Sequence, residues 1–270
     1  MNPFRQLLAH AADRWPVGTW IMSASPLVAE GVGHAGYDWG VVDMEHTPLD
    51  LMEIIHLLQA LAGTPLVPVV RVPWNDSVTM KRVLDAGAQT LMVPFVQTAD
   101  EARAAVAATR YPPGGVRGMA AMSRASRFGT TPNYLKTANE SMAVLIQLET
   151  PEAIGRLEEI ASVDGVDALF IGPGDLSGAM GHPGDTQHAD VLALTERAVA
   201  RAKAIGKPVG TVGGTPEAVA RYHQMGFDYV AIASDLGFLM RAAQAGLAAV
   251  RALRPSAAPA PAARGADGPY

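Results

Sequence analysis

Short runs of apolar and β-branched residues recur along the chain, and a segment with helical spacing of its apolar positions separates most of them from the next. Within a run the residues are uniformly apolar and do not alternate with polar ones, which is typical of parallel strands covered on both faces. The pattern predicts eight strands, at Val17–Met22, Trp39–Asp43, Leu66–Arg71, Thr90–Phe95, Ala143–Leu148, Ala168–Ile171, Pro208–Val212 and Tyr229–Ala233. It predicts helices at Leu49–Leu61, Ser77–Ala86, Ala99–Thr109, Pro151–Ile160, Val191–Ile205, Pro216–Met225 and Leu236–Leu253.

Eight strand–helix units in about 250 residues match the size of a (β/α)8 barrel. We therefore predict an α/β protein with a single (β/α)8 (TIM) barrel over residues 1–254. An open doubly wound sheet is the alternative, although no Gly-x-Gly-x-x-Gly motif follows the first strand. Residues 255–270 are rich in Pro, Ala and Gly and are predicted to form a flexible tail. The long stretch Arg110–Met142 is expected to be a functional loop.

The composition narrows the chemistry. The 270 residues include no Cys, which excludes disulfides, zinc–thiolate sites and a cysteine nucleophile. With 21 Lys and Arg against 26 Asp and Glu, the net charge of −5 makes nucleic acid an unsuitable partner. The first 15 residues have no continuous apolar core, and no stretch approaches the roughly 18–20 apolar residues of a membrane span. The cytoplasm is therefore the expected location.

Polar residues follow several of the predicted strands. In a (β/α)8 barrel the active site lies at the carboxyl ends of the strands, so these residues are expected to converge on one rim. They are Asp43, Glu45 and His46 after strand two, Arg71 at the end of strand three, Gln147 and Glu149 at strand five, and Gly172, Pro173, Gly174 and Asp175 after strand six.

Glu149 and Asp175 come from adjacent strands, so their carboxylates can share a ligand. Two carboxylates at an open rim are typical of a Mg²⁺ or Mn²⁺ site that water and substrate oxygens complete. The alternative is that Asp175 caps a helix and Glu149 forms a salt bridge. The small residues Gly172 and Gly174 favour a ligand, because backbone N–H groups can approach an anion there.

His46 lies directly beyond a strand end and near Asp43, where a neutral imidazole can act as a general base. A structural capping role is the alternative. Arg71 ends a buried strand and is costly there unless it faces an anion, such as a substrate carboxylate or a developing enolate. A salt bridge to Asp43 or Glu45 is the other interpretation. The histidines in terminal or loop positions, for which no acidic partner can be identified, are His10, His182 and His188.

Several long motifs, all in one order, resemble the HpcH/HpaI aldolases. They are Tyr37–His46, Pro68–Asp76, Asp85–Pro94, Arg110–Gly118 and Phe170–Ser177. The resemblance runs from about residue 4 to residue 250. It implies a (β/α)8 barrel of the phosphoenolpyruvate/pyruvate-binding type. It also implies a class II aldolase that cleaves a 4-hydroxy-2-oxo acid to pyruvate and an aldehyde with Mg²⁺, Mn²⁺ or Co²⁺.

The resemblance also implies roles for individual residues. Glu149 and Asp175 would bind the metal, and Gln147 and the backbone of Gly174 would contact the pyruvyl end of the substrate. The implied catalytic roles are His46 as general base, Arg71 as enolate stabiliser and Asp85 as the aspartate that raises the basicity of His46; Asp43 joins these as a candidate catalytic residue. Many family members have Gly-Pro-Ala-Asp where this chain has Gly172 to Asp175. Relatives form hexamers, as trimers of dimers, with the last helix across a subunit interface.

Three other functions stay open. The first is another carbon–carbon lyase on the same scaffold, an oxaloacetate decarboxylase or a macrophomate-synthase-like enzyme. The second is a metal-independent isomerase that binds phosphate at Gly210–Gly214, and the third is a non-catalytic barrel. A Schiff-base aldolase is disfavoured, because the chain's lysines all lie away from the strand ends, at Lys81, Lys136, Lys203 and Lys207.

Overall fold

Eight parallel strands close into a barrel within residues 2–253, the part of the chain that the computed structural model describes. They are β1 (Val17–Ile21), β2 (Trp39–Asp43), β3 (Val67–Arg71), β4 (Thr90–Val93), β5 (Ala143–Leu148), β6 (Ala168–Ile171), β7 (Val209–Gly213) and β8 (Tyr229–Ser234). Each strand pairs with the next along the chain, and β8 pairs with β1. The predicted (β/α)8 fold and its eight strands are confirmed, with ends that differ by no more than two residues.

Twelve helices lie within the same described residues: α1 (Pro3–Ala9), α2 (Pro26–Gly33), α3 (Leu51–Leu61), α4 (Ser77–Asp85), α5 (Ala99–Thr109), α6 (Tyr134–Ser141), α7 (Pro151–Gly155), α8 (Leu157–Ala161), α9 (Pro173–Ala179), α10 (Ala189–Ala204), α11 (Pro216–Met225) and α12 (Asp235–Ala252). The prediction of one helix over Pro151–Ile160 is wrong, because the helix breaks at Arg156. Gly155 precedes this break and weakens a helix interior through its backbone freedom. Four helices were not predicted: α1, α2, α6 and α9.

The barrel interior is filled with aromatic side chains. Phe4 of α1 packs edge-on against Trp39 and Tyr229, with ring centroids 5.7 Å and 5.3 Å apart. Glycines on neighbouring strands make room for these rings. A Cβ atom on Gly18 would lie 2.4 Å from the Trp39 ring, and one on Gly210 would lie 2.2 Å from the Tyr229 ring. The interior is therefore a packed core and not a channel.

The outward faces of the strands form a second apolar layer with the helices, which includes Val42 of β2 and Val70 of β3. Side-chain caps fix where several of these helices begin. Asp50 and Asp76 cap α3 and α4, and Glu53 completes a capping box with Asp50. The residues between the end of each strand and the cap of the following helix form a rim at the carboxyl ends of the strands, called the carboxyl-end rim below.

Contacts divide the chain after Leu236. The first unit contains all eight strands, and the second begins at Gly237, within α12. The predicted tail, residues 255–270, lies outside the described residues, and the predicted domain boundary at residue 254 stays a prediction. None of the helices in residues 2–253 has the length and apolar character needed to cross a membrane.

Candidate active site

An arginine clamped by two acids forms one side of the carboxyl-end rim. Asp43 and Arg71 end β2 and β3 and lie opposite each other in register. The Arg71 Nε and Nη2 atoms each donate a hydrogen bond of 2.8 Å to the Asp43 carboxylate, and Nη1 lies 2.9 Å from Glu45 Oε2. Both salt bridges that the sequence left open are thus present. Burial disfavours the charged guanidinium, but hydrogen bonding and charge from Asp43 prevail and raise the pKa of Arg71.

The Glu149 carboxylate forms the opposite side of the site, directly after β5, and is only 1% exposed. Its Oε2 accepts a 2.9 Å hydrogen bond from the Phe95 N–H, and its Oε1 accepts a hydrogen bond from Gln147 Nε2. Phe95 holds this position with a φ of 54°, in the left-handed region that costs a bulky residue energy. A Cβ atom on Gly172 would lie 2.5 Å from Glu149 Oε1, so the next strand end must be glycine for the carboxylate to fit.

Burial and mutual repulsion raise the pKa values of two acids of this rim, Glu149 and Glu45. Desolvation, with smaller contributions from Glu45 and Asp175, raises the pKa of Glu149 to about 7. Desolvation likewise raises the pKa of Glu45 to about 7, although the Arg71 charge opposes it and the Asp43 and Asp175 charges reinforce it. The site therefore gathers more negative charge than Arg71 neutralises. A divalent cation would relieve this imbalance.

Asp175 is the third residue of α9 and is exposed at the rim. The N-cap of α9 is Gly172, so the alternative in which Asp175 caps the helix is wrong. Pro173 is buried as the first helical residue, and a Cβ atom on Gly174 would have no atom within 4 Å. An alanine methyl group at position 174 would therefore fit here without a clash.

The donor set of this rim fits a hard divalent ion. Glu149 and Asp175 supply carboxylate oxygens, which Mg²⁺ and Mn²⁺ prefer. The Oε1 atom of Gln147 is buried beside Glu149 and lacks a hydrogen-bond partner within the described residues. A buried acceptor of this kind calls for a cation, a water molecule or a substrate donor.

His46 and Asp85 are not brought together within one chain. The His46 imidazole is exposed at the rim, and its Nε2 lies 3.8 Å from Glu45 Oε2. Asp85 ends α4, the helix that returns from the end of β3 to the start of β4, and therefore lies at the opposite end of the barrel. There it pairs with Arg117 at 2.7 Å. The role of Asp85 toward His46 stays a prediction.

The predicted functional loop, Arg110–Met142, contains α6 and packs against this same end of α4. Arg117 is buried and lies with its guanidinium carbon 4.4 Å from the centre of the Tyr111 ring. Arg124 donates a 2.8 Å hydrogen bond to the carbonyl oxygen of Ala86. In the same chain these arginines contact the end of α4 and not the carboxyl-end rim.

Sequence reasoning missed two contributors to the site. Glu45 was expected at the rim and as a salt-bridge partner of Arg71, but no role in the site was assigned to it; it lies two residues after Asp43 and so follows the same strand face. Phe95 contributes a backbone N–H, which no side-chain pattern could reveal.

The structure also revises two minor expectations. His182 and His188, for which no acidic partner was identified, both lie within 4 Å of the Asp190 carboxylate. Packing explains two of the three glycines proposed as a phosphate cradle, since a Cβ atom on Gly213 would lie 2.8 Å from the Val219 side chain, and Gly210 accommodates a core ring.

The chain is thus a (β/α)8 barrel with charged side chains at the carboxyl ends of its strands, the end at which the active sites of (β/α)8-barrel enzymes lie. The family model for HpcH/HpaI aldolase/citrate lyase matches residues 17–242, and the chain belongs to this family. The chain is 51% identical over 236 residues to the 2-dehydro-3,6-dideoxy-6-sulfogluconate aldolase of Pseudomonas putida, covering 87% of this chain and 92% of the relative. It is 46% identical over 245 residues to a 4-hydroxy-2-oxo-heptane-1,7-dioate aldolase of Salmonella heidelberg, covering 90% and 92%.

A solved structure also supports membership of this family. The HpcH/HpaI aldolase/citrate lyase family protein from Burkholderia cenocepacia superposes with a TM-score of 0.89 at 41% identity, covering 93% of this chain and all of that one. The family resemblance predicted from the sequence is confirmed. The chain is an enzyme of the aldolase type, which is a carbon–carbon lyase.

Proposed function

We propose that this enzyme is a divalent-metal-dependent aldolase that cleaves a 4-hydroxy-2-oxo acid to pyruvate and an aldehyde and catalyses the reverse addition. The observation that carries the proposal is the buried Arg71 clamp facing the carboxylates that follow β5 and β6. A guanidinium and a cation-binding pair of acids on one rim suit a substrate with adjacent carboxylate and keto oxygens. The relatives' names, which include a 4-hydroxy-2-oxo acid, support this substrate class.

Glu149 and Asp175 would hold the metal, with the buried Gln147 Oε1 beside them. A bound Mg²⁺, Mn²⁺ or Co²⁺ ion would supply Lewis-acid stabilisation of negative charge developing on the 2-oxo oxygen. Gln147, Gly172, Pro173 and Gly174 would line the pyruvyl end of the substrate. Gly172 contributes by leaving the space that Glu149 and Gln147 occupy.

Arg71 would donate hydrogen bonds to the enolate that forms as the bond breaks. The orientation of its guanidinium group is fixed in advance, because Asp43 accepts two parallel hydrogen bonds from it and Glu45 Oε2 lies 2.9 Å from its third nitrogen, Nη1. Such preorganisation means that the guanidinium does not have to reorient during the reaction. Asp43 is therefore a positioning residue in this proposal.

His46, exposed at the same rim, would remove the C4-hydroxyl proton directly or through a water molecule. The C3–C4 bonding electrons then move into the enolate, and the C4 carbon leaves as the aldehyde carbonyl. Protonation of the enolate at C3 gives pyruvate. The proton taken from the hydroxyl balances the one returned to carbon.

The proposal also includes a homo-oligomer, a hexamer arranged as a trimer of dimers. One observation supports an assembly, and so does the role toward His46 that the family resemblance implies for Asp85. Exposed apolar side chains cluster on the segment between α5 and α6, at Val116, Met119, Met122 and Phe128. Asp85 lies at the opposite end of the barrel from His46, so it can serve a His46 only if a second chain supplies that histidine.

The experiment is a coupled assay of pyruvate release from a 4-hydroxy-2-oxo acid, run in turn with Mg²⁺, Mn²⁺, Co²⁺ and EDTA. We expect Glu149→Ala to lower kcat/KM by at least about 100-fold and EDTA to abolish turnover. Glu196→Ala, on the exposed face of α10, is the matched control and should behave as wild type. Undiminished turnover of Glu149→Ala, or full activity in EDTA, would refute the assignment.

A further inference from the structure

A second cluster of potential metal ligands, made of none of the acids of the rim site, lies on the connection between α9 and α10 and at the start of α10. His182 Nε2 lies 3.7 Å from Asp190 Oδ2, and His188 Nδ1 lies 3.8 Å from the same oxygen. The two imidazole rings stack with centroids 3.4 Å apart and planes inclined by 14°. One ligand atom from each of the three residues lies within 4.8 Å of the others.

Backbone and side-chain contacts hold this cluster together. The His182 N–H donates a 2.8 Å hydrogen bond to the carbonyl oxygen of Ser177 in α9. His188 is the N-cap of α10, and its Nδ1 accepts a 3.3 Å hydrogen bond from the Asp190 N–H. Gln187 donates a 3.1 Å hydrogen bond to Tyr222 Oη, which ties the connection to α11. The chain therefore brings the three side chains together through interactions that do not require an ion.

The spacing is close to that of a bound transition metal. Two ligands at 2.0–2.1 Å from a tetrahedral Zn²⁺ ion are about 3.4 Å apart, so the two contacts to Asp190 need to shorten by only a few tenths of an ångström. The metal must lie in the plane of each imidazole, so the stacked rings of His182 and His188 must turn, and an ion bound to His188 Nδ1 replaces the hydrogen bond from the Asp190 N–H. Both side chains are partly exposed, which leaves room for this rotation.

We propose that His182, His188 and Asp190 bind one Zn²⁺-type ion, with water in the remaining position. Imidazole nitrogens select Zn²⁺, Co²⁺, Ni²⁺ or Cu²⁺ and discriminate against Mg²⁺, whereas the acids after β5 and β6 offer oxygen ligands only. The ion would join α9 to the first turn of α10 and stabilise this connection. The proposal does not depend on the proposed aldolase reaction.

The test is calorimetric titration of Zn²⁺ into the metal-stripped full-length protein in saturating Mg²⁺. We expect one Zn²⁺ per chain, an affinity at least tenfold weaker in His182→Ala and Asp190→Asn, and the same loss in His188→Asn. Asn at position 188 retains a helix-capping side chain, which separates loss of the ligand from loss of the cap. His10→Ala is the matched control, because His10 pairs with a single exposed Asp13 at 3.9 Å.

Two further readouts make the outcome decisive. Zn²⁺ should raise the Tm of wild type and not that of His182→Ala, and Cu²⁺ bound in place of Zn²⁺ should show coupling to two nitrogens by electron paramagnetic resonance. In Glu149→Gln, the Zn²⁺ stoichiometry should stay at one. The proposal is overturned if wild type takes up no Zn²⁺ in Mg²⁺, or if Glu149→Gln removes binding while the histidine variants retain it.

Discussion

The acidic side chains of the rim differ in their hydrogen bonds and in their burial. Asp43 is fully buried and makes two parallel hydrogen bonds to Arg71. Desolvation raises the pKa values of Glu45 and Glu149 to about 7. Asp175 is exposed and adds its charge to theirs. A metal ion would stabilise the ionised forms that burial disfavours.

The first prediction concerns the pH dependence of stability in the metal-free protein. A carboxyl with a pKa of about 7 when folded and 4.5 when unfolded binds its proton more tightly in the folded state. The stability this contributes is fully present below about pH 4.5 and is lost as the pH rises through about 7. We therefore expect the Glu45 and Glu149 contribution to the free energy of unfolding to fall, by a few kcal/mol at most, between about pH 5 and pH 8.

Urea unfolding in EDTA across this range measures the effect. The double variant Glu45→Gln/Glu149→Gln serves as the control, because it keeps the size of each side chain and one acceptor oxygen at each position but cannot titrate. As the pH rises, the free energy of unfolding of wild type should fall relative to that of this variant. Parallel pH profiles for the two proteins would contradict the raised pKa values.

At the scale of elements, β2, β3, β5 and β6 bring the site together because their carboxyl ends lie on one rim, with the end of β4 between those of β3 and β5. The register that places Asp43 opposite Arg71 follows from two uniformly apolar parallel strands of equal length. The helix that follows β6, α9, begins at once and sets the direction of Asp175. Gly172 and Gly174 both lie at this start, but they differ in what surrounds them.

The second prediction compares these two glycines. Gly172→Ala places a methyl group 2.5 Å from Glu149 Oε1, so the carboxylate must move, and we expect Mn²⁺ affinity to fall at least tenfold. Gly174→Ala meets no atom within 4 Å and replaces glycine within a helix. We expect it to retain metal binding and to stabilise the protein by about 0.5–1 kcal/mol. Calorimetric titration and thermal unfolding give both results, and equal behaviour of the two variants would contradict this account of the strand end.

These elements also show which features of the site could be predicted from the sequence and which could not. The strand ends with Asp43, Arg71, Glu149 and Asp175 were predictable, because apolar runs fix the strands and polar residues then fall on one rim. The short helix α9 was not, since Gly172-Pro173-Gly174 has the composition of a loop. The Phe95 backbone contact to Glu149 depends on a left-handed φ that only the three-dimensional packing reveals.

At the scale of the whole molecule, the barrel separates two residues that the family resemblance links. His46 follows β2 at the carboxyl-end rim, and Asp85 ends α4 beside Arg117 at the other end. The predicted helix Ser77–Ala86 between strands three and four implies this separation, because such a helix returns from the carboxyl end of one barrel strand to the start of the next. An oligomer in which one chain supplies Asp85 to the His46 of another would reconcile the resemblance with the fold.

The third prediction tests this arrangement with hybrid oligomers. We expect His46→Asn and Asp85→Asn each to be severely impaired when assembled alone. Mixed one to one by subunit exchange, they should regain about a quarter of wild-type activity, since some sites then combine an intact His46 with an intact Asp85 from another chain. Mixing each variant with itself is the control. No recovery in verified hybrids would contradict the shared site.

The central claim is metal-dependent carbon–carbon cleavage at the rim. The most direct measurement follows both products when the metal-stripped enzyme, with and without added Mn²⁺, acts on a 4-hydroxy-2-oxo acid. We predict pyruvate and aldehyde in equal amounts, formed only when the metal is present. Aldehyde formation is essential here, because decarboxylation of oxaloacetate passes through the same enolate and releases pyruvate without it. The account would be contradicted if the enzyme released pyruvate from oxaloacetate but did not cleave the 4-hydroxy-2-oxo acid. Equal cleavage with and without the metal would also contradict it.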